Sequence, residues 1–163
     1  MLTGDTLKAM AQSRLKAHRK LMQQLKVLNT HDTDELFHTA HEEVFAETNC
    51  LKCANCCKTT SPLLLRQDID RLALATKMPV KHFFQKYVRT DEDNDWVFNT
   101  TPCPFLGADN YCNVYEHRPK ACREYPHTNQ RKMQQILPLT LTNAGVCPAV
   151  FEILERLEET LKD

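Results

Sequence analysis

The stretch Cys50-Leu51-Lys52-Cys53-Ala54-Asn55-Cys56-Cys57 holds four of the chain's eight cysteines in eight residues. Two residues between successive cysteines let their thiolates turn inward on one ion or cluster, as in zinc knuckles and iron–sulfur loops. A third cysteine at the same spacing makes a chance match rare. Cys56 and Cys57 are adjacent, and neighbouring side chains in an extended or turn backbone point apart. Cys57 is therefore expected to serve a second centre, or to stand beside the first. The fold expected around this stretch is a small, mainly helical α+β domain, with short strands and a hairpin around a cysteine-lined metal centre.

Disulfides are the competing use of an even number of cysteines. The N-terminal stretch Met-Leu-Thr-Gly-Asp-Thr-Leu-Lys contains no apolar leader core, so the expectation is a reducing, cytoplasmic setting. A chain of 163 residues can also bury a core without covalent staples. Free core cysteines scatter along a chain and do not gather in eight residues. Metal or iron–sulfur binding is the reading that accounts for the clustering.

Lys plus Arg equals Asp plus Glu at 21 each, so no global field favours nucleic acid, and no nucleic-acid partner is expected. The mean hydropathy is −0.50 and no apolar run approaches 18 residues, so no membrane span is expected. Four thiolates around a zinc ion or an oxidised four-iron cluster leave a charge of about −2, so the loaded protein is expected to be acidic. Three glycines provide no phosphate-cradling loop. No serine–histidine–acid set or catalytic carboxylate pair stands out.

Apolar residues recur at helical spacing from residue 6 to 29, through Leu7, Met10, Ala11, Leu21, Leu25 and Leu28. The basic stretch Arg14, Lys16, His18, Arg19 and Lys20 reads as a solvated face. A second helix is expected to begin at a Thr33 cap and to carry Phe37, Ala40, Val44 and Phe45 on one side. His38 and His41 on it read as exposed. Leu63–Leu65 reads as a short buried strand and 67–77 as a helix stopped by Met78-Pro79. Pro79 then opens a helix with Phe83, Phe84, Tyr87 and Val88. Thr90–Asp95 reads as an acidic loop, and Trp96-Val97-Phe98 as strand. Leu137–Leu141 reads as a strand, and Ala149–Leu161 as a final helix with Val150, Ile153, Leu154, Leu157 and Leu161 inward.

The other four cysteines are Cys103, Cys112, Cys122 and Cys147. Gly107–Asn110 has turn composition, so a hairpin should bring Cys103 and Cys112 to one end. Pro119 should start a short helix containing Cys122, and Cys147-Pro148 precedes the last helix. Every cysteine thus falls in a loop, turn or helix end. Arg118 and Arg123 could neutralise a thiolate-rich site or donate to its sulfurs; surface pairs with Glu116 and Glu124 are the plainer use. Cys50, Cys53 and Cys56 are expected to hold one centre, completed by Cys122 or Cys147. Cys57, Cys103 and Cys112 would support a second with the remaining cysteine.

These residues resemble the CxxCxxCC cysteine-cluster proteins, described as zinc- or iron-chelating domains and often called YkgJ-like. The likeness runs through Cys50–Cys57, the segment Leu64-Leu65-Arg66-Gln67-Asp68-Ile69 with its acidic helix start, and Cys103-Pro104. It continues through Tyr111-Cys112-Asn113-Val114-Tyr115, the Arg-Pro-x-x-Cys-Arg signature at Arg118–Arg123, and Cys147-Pro148. It covers roughly 45–155, leaving the first 40 residues outside it. The division expected is an N-terminal helical extension over 1–45 and a metal-binding domain over 46–163. Some relatives of this domain occur within flagellin lysine methylases, which the resemblance brings in as an enzymatic reading. This chain has no glycine-rich loop for S-adenosylmethionine.

The cofactor expected is an iron–sulfur cluster, of the four-iron type among others, slightly ahead of zinc. The triple spacing resembles iron–sulfur runs, whereas structural zinc usually takes two separated knuckles. Two functions follow: a binding protein whose metal builds the fold or is stored or sensed, and a redox or radical enzyme or electron carrier.

Overall fold

Helix α1 (Gly4–Val27) buries Leu7, Leu21, Met22 and Leu25 along one side, as the spacing of its apolar residues dictates. The computed structural model describes residues 4–162; residues 1–3 of the stretch read above for a leader, and residue 163, lie outside them. Helix α2 (Thr30–Glu47) buries Phe37, Ala40 and Val44. Its cap is Asn29 and not Thr33: the Asn29 side chain accepts from the Asp32 N–H at 2.9 Å. The cap falls four residues earlier because asparagine competes better for that position than the threonine that follows it. Thr33 instead lies buried, its hydroxyl donating to the Leu25 and Asn29 carbonyls.

After these come α3 (Cys50–Cys53), α4 (Asn55–Thr59), α5 (Arg66–Ala75) and α6 (Val80–Tyr87). Strands β1 (Val88–Thr90) and β2 (Trp96–Phe98) follow, then α7 (Lys120–Glu124), α8 (Leu137–Asn143) and α9 (Pro148–Thr160). The described residues are thus mainly helical with one two-stranded sheet, in line with the α+β expectation. No helix of the described residues is long and apolar enough to cross a membrane.

The chain forms two compact units. The first combines Met1–Cys50 with Pro126–Asp163. Helix α9 buries Ala149, Val150, Phe151, Ile153, Leu154 and Leu157 and packs on both α1 and α2. The basic stretch of α1 is not wholly solvated. His18 is 1% exposed and bonds Glu155 Oε1 through Nε2 at 2.6 Å. Arg14 Nε donates to the same oxygen at 2.8 Å and its other arm reaches Glu158. Both side chains stand on the side of α1 that meets α9, where the glutamates supply the charge that burial requires. His38 and His41 are likewise half-buried and not exposed. They bond the Gln130 carbonyl at 2.9 Å and the Thr128 hydroxyl at 2.8 Å.

Leu137–Leu141 is helical and not a strand. Pro138 sits in the first turn of α8, where its locked φ and missing N–H fit a helix start. Thr140 and Thr142 donate back to the Ile136 and Pro138 carbonyls at 3.1 Å each, satisfying hydroxyls that β-propensity alone would have placed on a sheet.

The second unit is Leu51–Tyr125. Its sheet is antiparallel, with Val88 opposite Phe98, Arg89 opposite Val97 and Thr90 opposite Trp96. The acidic loop between the strands closes on the Asp91 carboxylate, which accepts from the Asp93 and Asp95 N–H groups at 3.0 and 2.9 Å. Leu63–Leu65 does not form a strand. Leu63 makes a single bridge to Val97, and only Leu64 of the three is buried. The segment is too short, because Pro62 precedes it and Leu65 already caps α5. Leu64, Ile69, Leu72, Phe83, Phe98 and Phe105 form the core, with Cys103 and Cys112 packed against its edge.

Candidate metal centre

Three pieces of the second unit carry four cysteines to one place. A backbone bond from the Cys103 N–H to the Cys57 carbonyl, at 2.8 Å, joins α4 to the segment that follows β2. The expected hairpin then forms. Gly107 N–H bonds the Tyr111 carbonyl at 2.7 Å, Asn113 N–H bonds the Phe105 carbonyl at 2.8 Å, and Leu106 faces Cys112 across a single bridge. Asn110 takes a φ of 65° at its turn, a conformation asparagine tolerates better than most residues. A 3-10 turn at Tyr115–His117 leads to Pro119, which caps α7 and places Cys122 in its single turn. Cys56, Cys57 and Cys122 therefore lie within one-turn helices, not in open loops.

Cys103, Cys112 and Cys122 each feel the charge of at least one other thiol in the group. Burial pushes the Cys122 thiol up to about 12, with the nearby Cys103, Cys57 and Cys112 thiolates adding to the rise. Cys103 is pushed up to about 11 by burial and by Cys57 and Cys112, against bonds from the Phe105 and Leu106 N–H groups. Cys112 is raised by burial and by Cys57, against the Val114 N–H and Arg118. Cys57 goes the other way, down to about 7: the Cys56 thiol donates a hydrogen bond to it, and Arg118 and Lys58 add positive charge. Of the group, Cys57 is the thiol held lowest and so the most readily ionised. Full thiolate character in all four would need a compensating cation.

Arg118 is the cation that bears on three of these sulfurs, Cys57, Cys112 and Cys122. Its guanidinium carbon lies 3.4 Å from the centre of the Tyr115 ring, and its Nε donates to the Tyr115 carbonyl at 2.8 Å. Arg123 has a different job. It is exposed and donates through Nη1 to the Arg118 carbonyl at 2.8 Å. Neither arginine pairs with Glu116 or Glu124; Glu124 pairs with Lys120 at 3.6 Å.

The remaining cysteines are placed as follows. Cys53 ends α3 and is buried, and Cys56 lies beside Cys57 in α4. Cys50 is exposed and belongs to the first unit, as does half-buried Cys147, which caps α9. The donor set of the Cys57 group fits a thiophilic metal: four thiols, three backbone N–H groups aimed at sulfur and one arginine to offset thiolate charge.

Two residues that bear on this group did not stand out in the sequence. Asp68 and Arg71 of α5 bond the backbone at 117–120. Their only signal was an acidic residue near the start of a helix. No curated protein and no solved structure matches the chain. A family model, described as a putative zinc- or iron-chelating domain, matches residues 49–140, more than half of the chain. The chain belongs to the CxxCxxCC family.

Proposed function

We propose that the protein is a metal-binding protein in which Cys57, Cys103, Cys112 and Cys122 hold an iron–sulfur cluster. The observation that carries the reading is the convergence of these four thiols with Arg118 and with the N–H groups of Phe105, Leu106 and Val114. Hydrogen bonds to sulfur and nearby positive charge are the means by which a protein stabilises and tunes a thiolate-bound cluster. The run Cys50–Cys57 resembles the spacing of iron–sulfur loops more than that of two separated zinc knuckles, which supports a cluster over a single zinc ion.

When bound, the cluster would supply a one-electron couple or a sensor of iron and oxygen. The chain's own residues hold the sulfurs, lower the cost of their charge and keep water from one side. A reducing compartment such as the cytoplasm suits thiols that must stay loadable. Zinc in the same thiols is the second reading, since the family description names zinc beside iron. A redox or radical enzyme related to the methylases is the third reading.

The deciding sample is protein purified without oxygen and reconstituted with iron and sulfide. Iron, acid-labile sulfide and a brown absorption that bleaches with dithionite are expected. Zinc is d¹⁰ and silent in such an assay. Protein that stays colourless and retains only zinc overturns the cluster.

A further inference from the structure

The Asp68 carboxylate lies outside the thiol group, yet most of its bonds lead there. It is 2% exposed. Oδ2 accepts from the Leu65 N–H at 3.0 Å, closing the first turn of α5. Oδ1 accepts from Arg71 Nη2 at 2.6 Å and from the Lys120 N–H at 3.1 Å. Lys120 opens α7, which carries Cys122. Arg71 continues the chain of bonds, donating to the Arg118 carbonyl at 2.8 Å and the His117 carbonyl at 3.3 Å. One carboxylate and its guanidinium thus grip the backbone on both sides of Pro119, through bonds that span 46 to 52 residues of sequence.

A buried charge costs several kcal/mol unless it is paired and fully hydrogen-bonded. Capping α5 alone would not call for one, since a neutral serine or asparagine at the cap position serves. The excess is explained by what the pair holds. Arg118 is the cation of the thiol group, and its carbonyl accepts from two guanidinium groups, those of Arg71 and Arg123.

We infer that Asp68, acting through Arg71, is a positioning residue that sets where the Arg118 guanidinium and the Cys122 thiol stand. Its effect on metal affinity rests on the metal-binding reading; its effect on Cys122 does not.

The test uses full-length Arg71→Lys and Asp68→Asn, with Arg66→Lys as control, because Arg66 pairs with Asp70 on the exposed side of the same helix. Lysine keeps the charge and loses the forked geometry. The first readout needs no metal: alkylation of Cys122 by iodoacetamide in the reduced, metal-free protein, mapped by mass spectrometry, with buried Cys53 as the integrity control. Cys122 should react about tenfold faster in both variants, through local opening of α7, while Cys53 stays unchanged. The second readout is zinc retention against a chelator, expected to weaken about 10- to 100-fold in the same two variants and not in the control.

Unchanged Cys122 labelling in both variants overturns the inference. Cys53 reacting faster along with Cys122, or zinc retention unchanged, reduces Asp68 to a general structural role and overturns it too. Wild-type protein that takes up no zinc removes the metal reading by itself, and the labelling arm then decides the placement of Cys122.

Discussion

Phe105 joins the core of the second unit to its thiols, and Phe105→Ala should expose how far each supports the other. The ring is 6% exposed. It lies 5.0 Å from Tyr87, 5.5 Å from Phe98 and 6.1 Å from Phe83, centre to centre. Its own N–H points at the Cys103 sulfur and its carbonyl holds Asn113. Truncating a buried phenylalanine costs about 3–5 kcal/mol, a large part of a typical stability of roughly 5–15 kcal/mol. For a unit of this size that is a fall in melting temperature of about 10–40 °C. Trp96, the sole tryptophan, packs against the same cluster, so its fluorescence follows the transition. A ligand that binds only the folded form, present at a thousand times its Kd, adds about 4 kcal/mol. The metal-free variant should therefore melt far below wild type, and the zinc-loaded variant should return near metal-free wild type. A metal-free melting temperature within 3 °C of wild type would refute the reasoning, because the ring would then not be core. Recovery absent in zinc, with the wild type stabilised normally, would break the link between the core and the thiols.

The other predictions concern charge and ligands. Arg118→Ala removes a cation that lowers Cys57, so Cys57 should alkylate more slowly at pH 7; Arg123→Ala, which loses only a bond to a carbonyl, should leave that rate unchanged. Cys112→Ser should lower both metal content and the yield of folded protein, since a structural metal contributes on the order of 10 kcal/mol; wild-type metal content would count against the site. His41 sits below its usual range, because burial and then the nearby His38 disfavour its charged form, with Glu42 opposing. The unfolded state therefore binds more protons, so stability is full above pH about 6.5 and falls as the pH drops through the lowered value. The loss of melting temperature between pH 7 and 5.5, followed by helical circular dichroism, should be smaller in His41→Gln; equal losses would refute the assignment.

How much of this was legible in the sequence depends on the range of the interaction. Helices α1, α2, α5, α6 and α9 were legible because their apolar residues repeat at a period that only one face of a helix can bury. The Cys103–Cys112 hairpin was legible because Gly107–Asn110 is a local turn. Leu137–Leu141 was misread because Leu137, Leu139 and Leu141 alternate with the period of a strand, while Pro138 and two back-bonding hydroxyls decide for helix. His18 and Arg14 looked like a solvated face because their partners lie more than a hundred residues on, in α9. Asp68 was visible only as a helix start, since its second role depends on a backbone segment brought in by tertiary folding. The grouping of Cys57 with Cys103, Cys112 and Cys122 has the same cause: the spacing marks candidate ligands, and only the fold sorts them.

The bond between Cys103 and Cys57 also sets the timing of assembly during synthesis. Cys57 leaves the ribosome roughly 65 residues before Cys122, which at ordinary elongation rates is a wait of about 3 to 13 s. Cys103 and Cys112 follow Cys57 by 46 and 55 residues, so for most of that interval the most acidic thiol of the group has none of its distant partners. Under the proposed metal reading, delivery that waits for Cys122 loads a finished site; delivery before Cys103 emerges meets only the Cys50–Cys57 stretch.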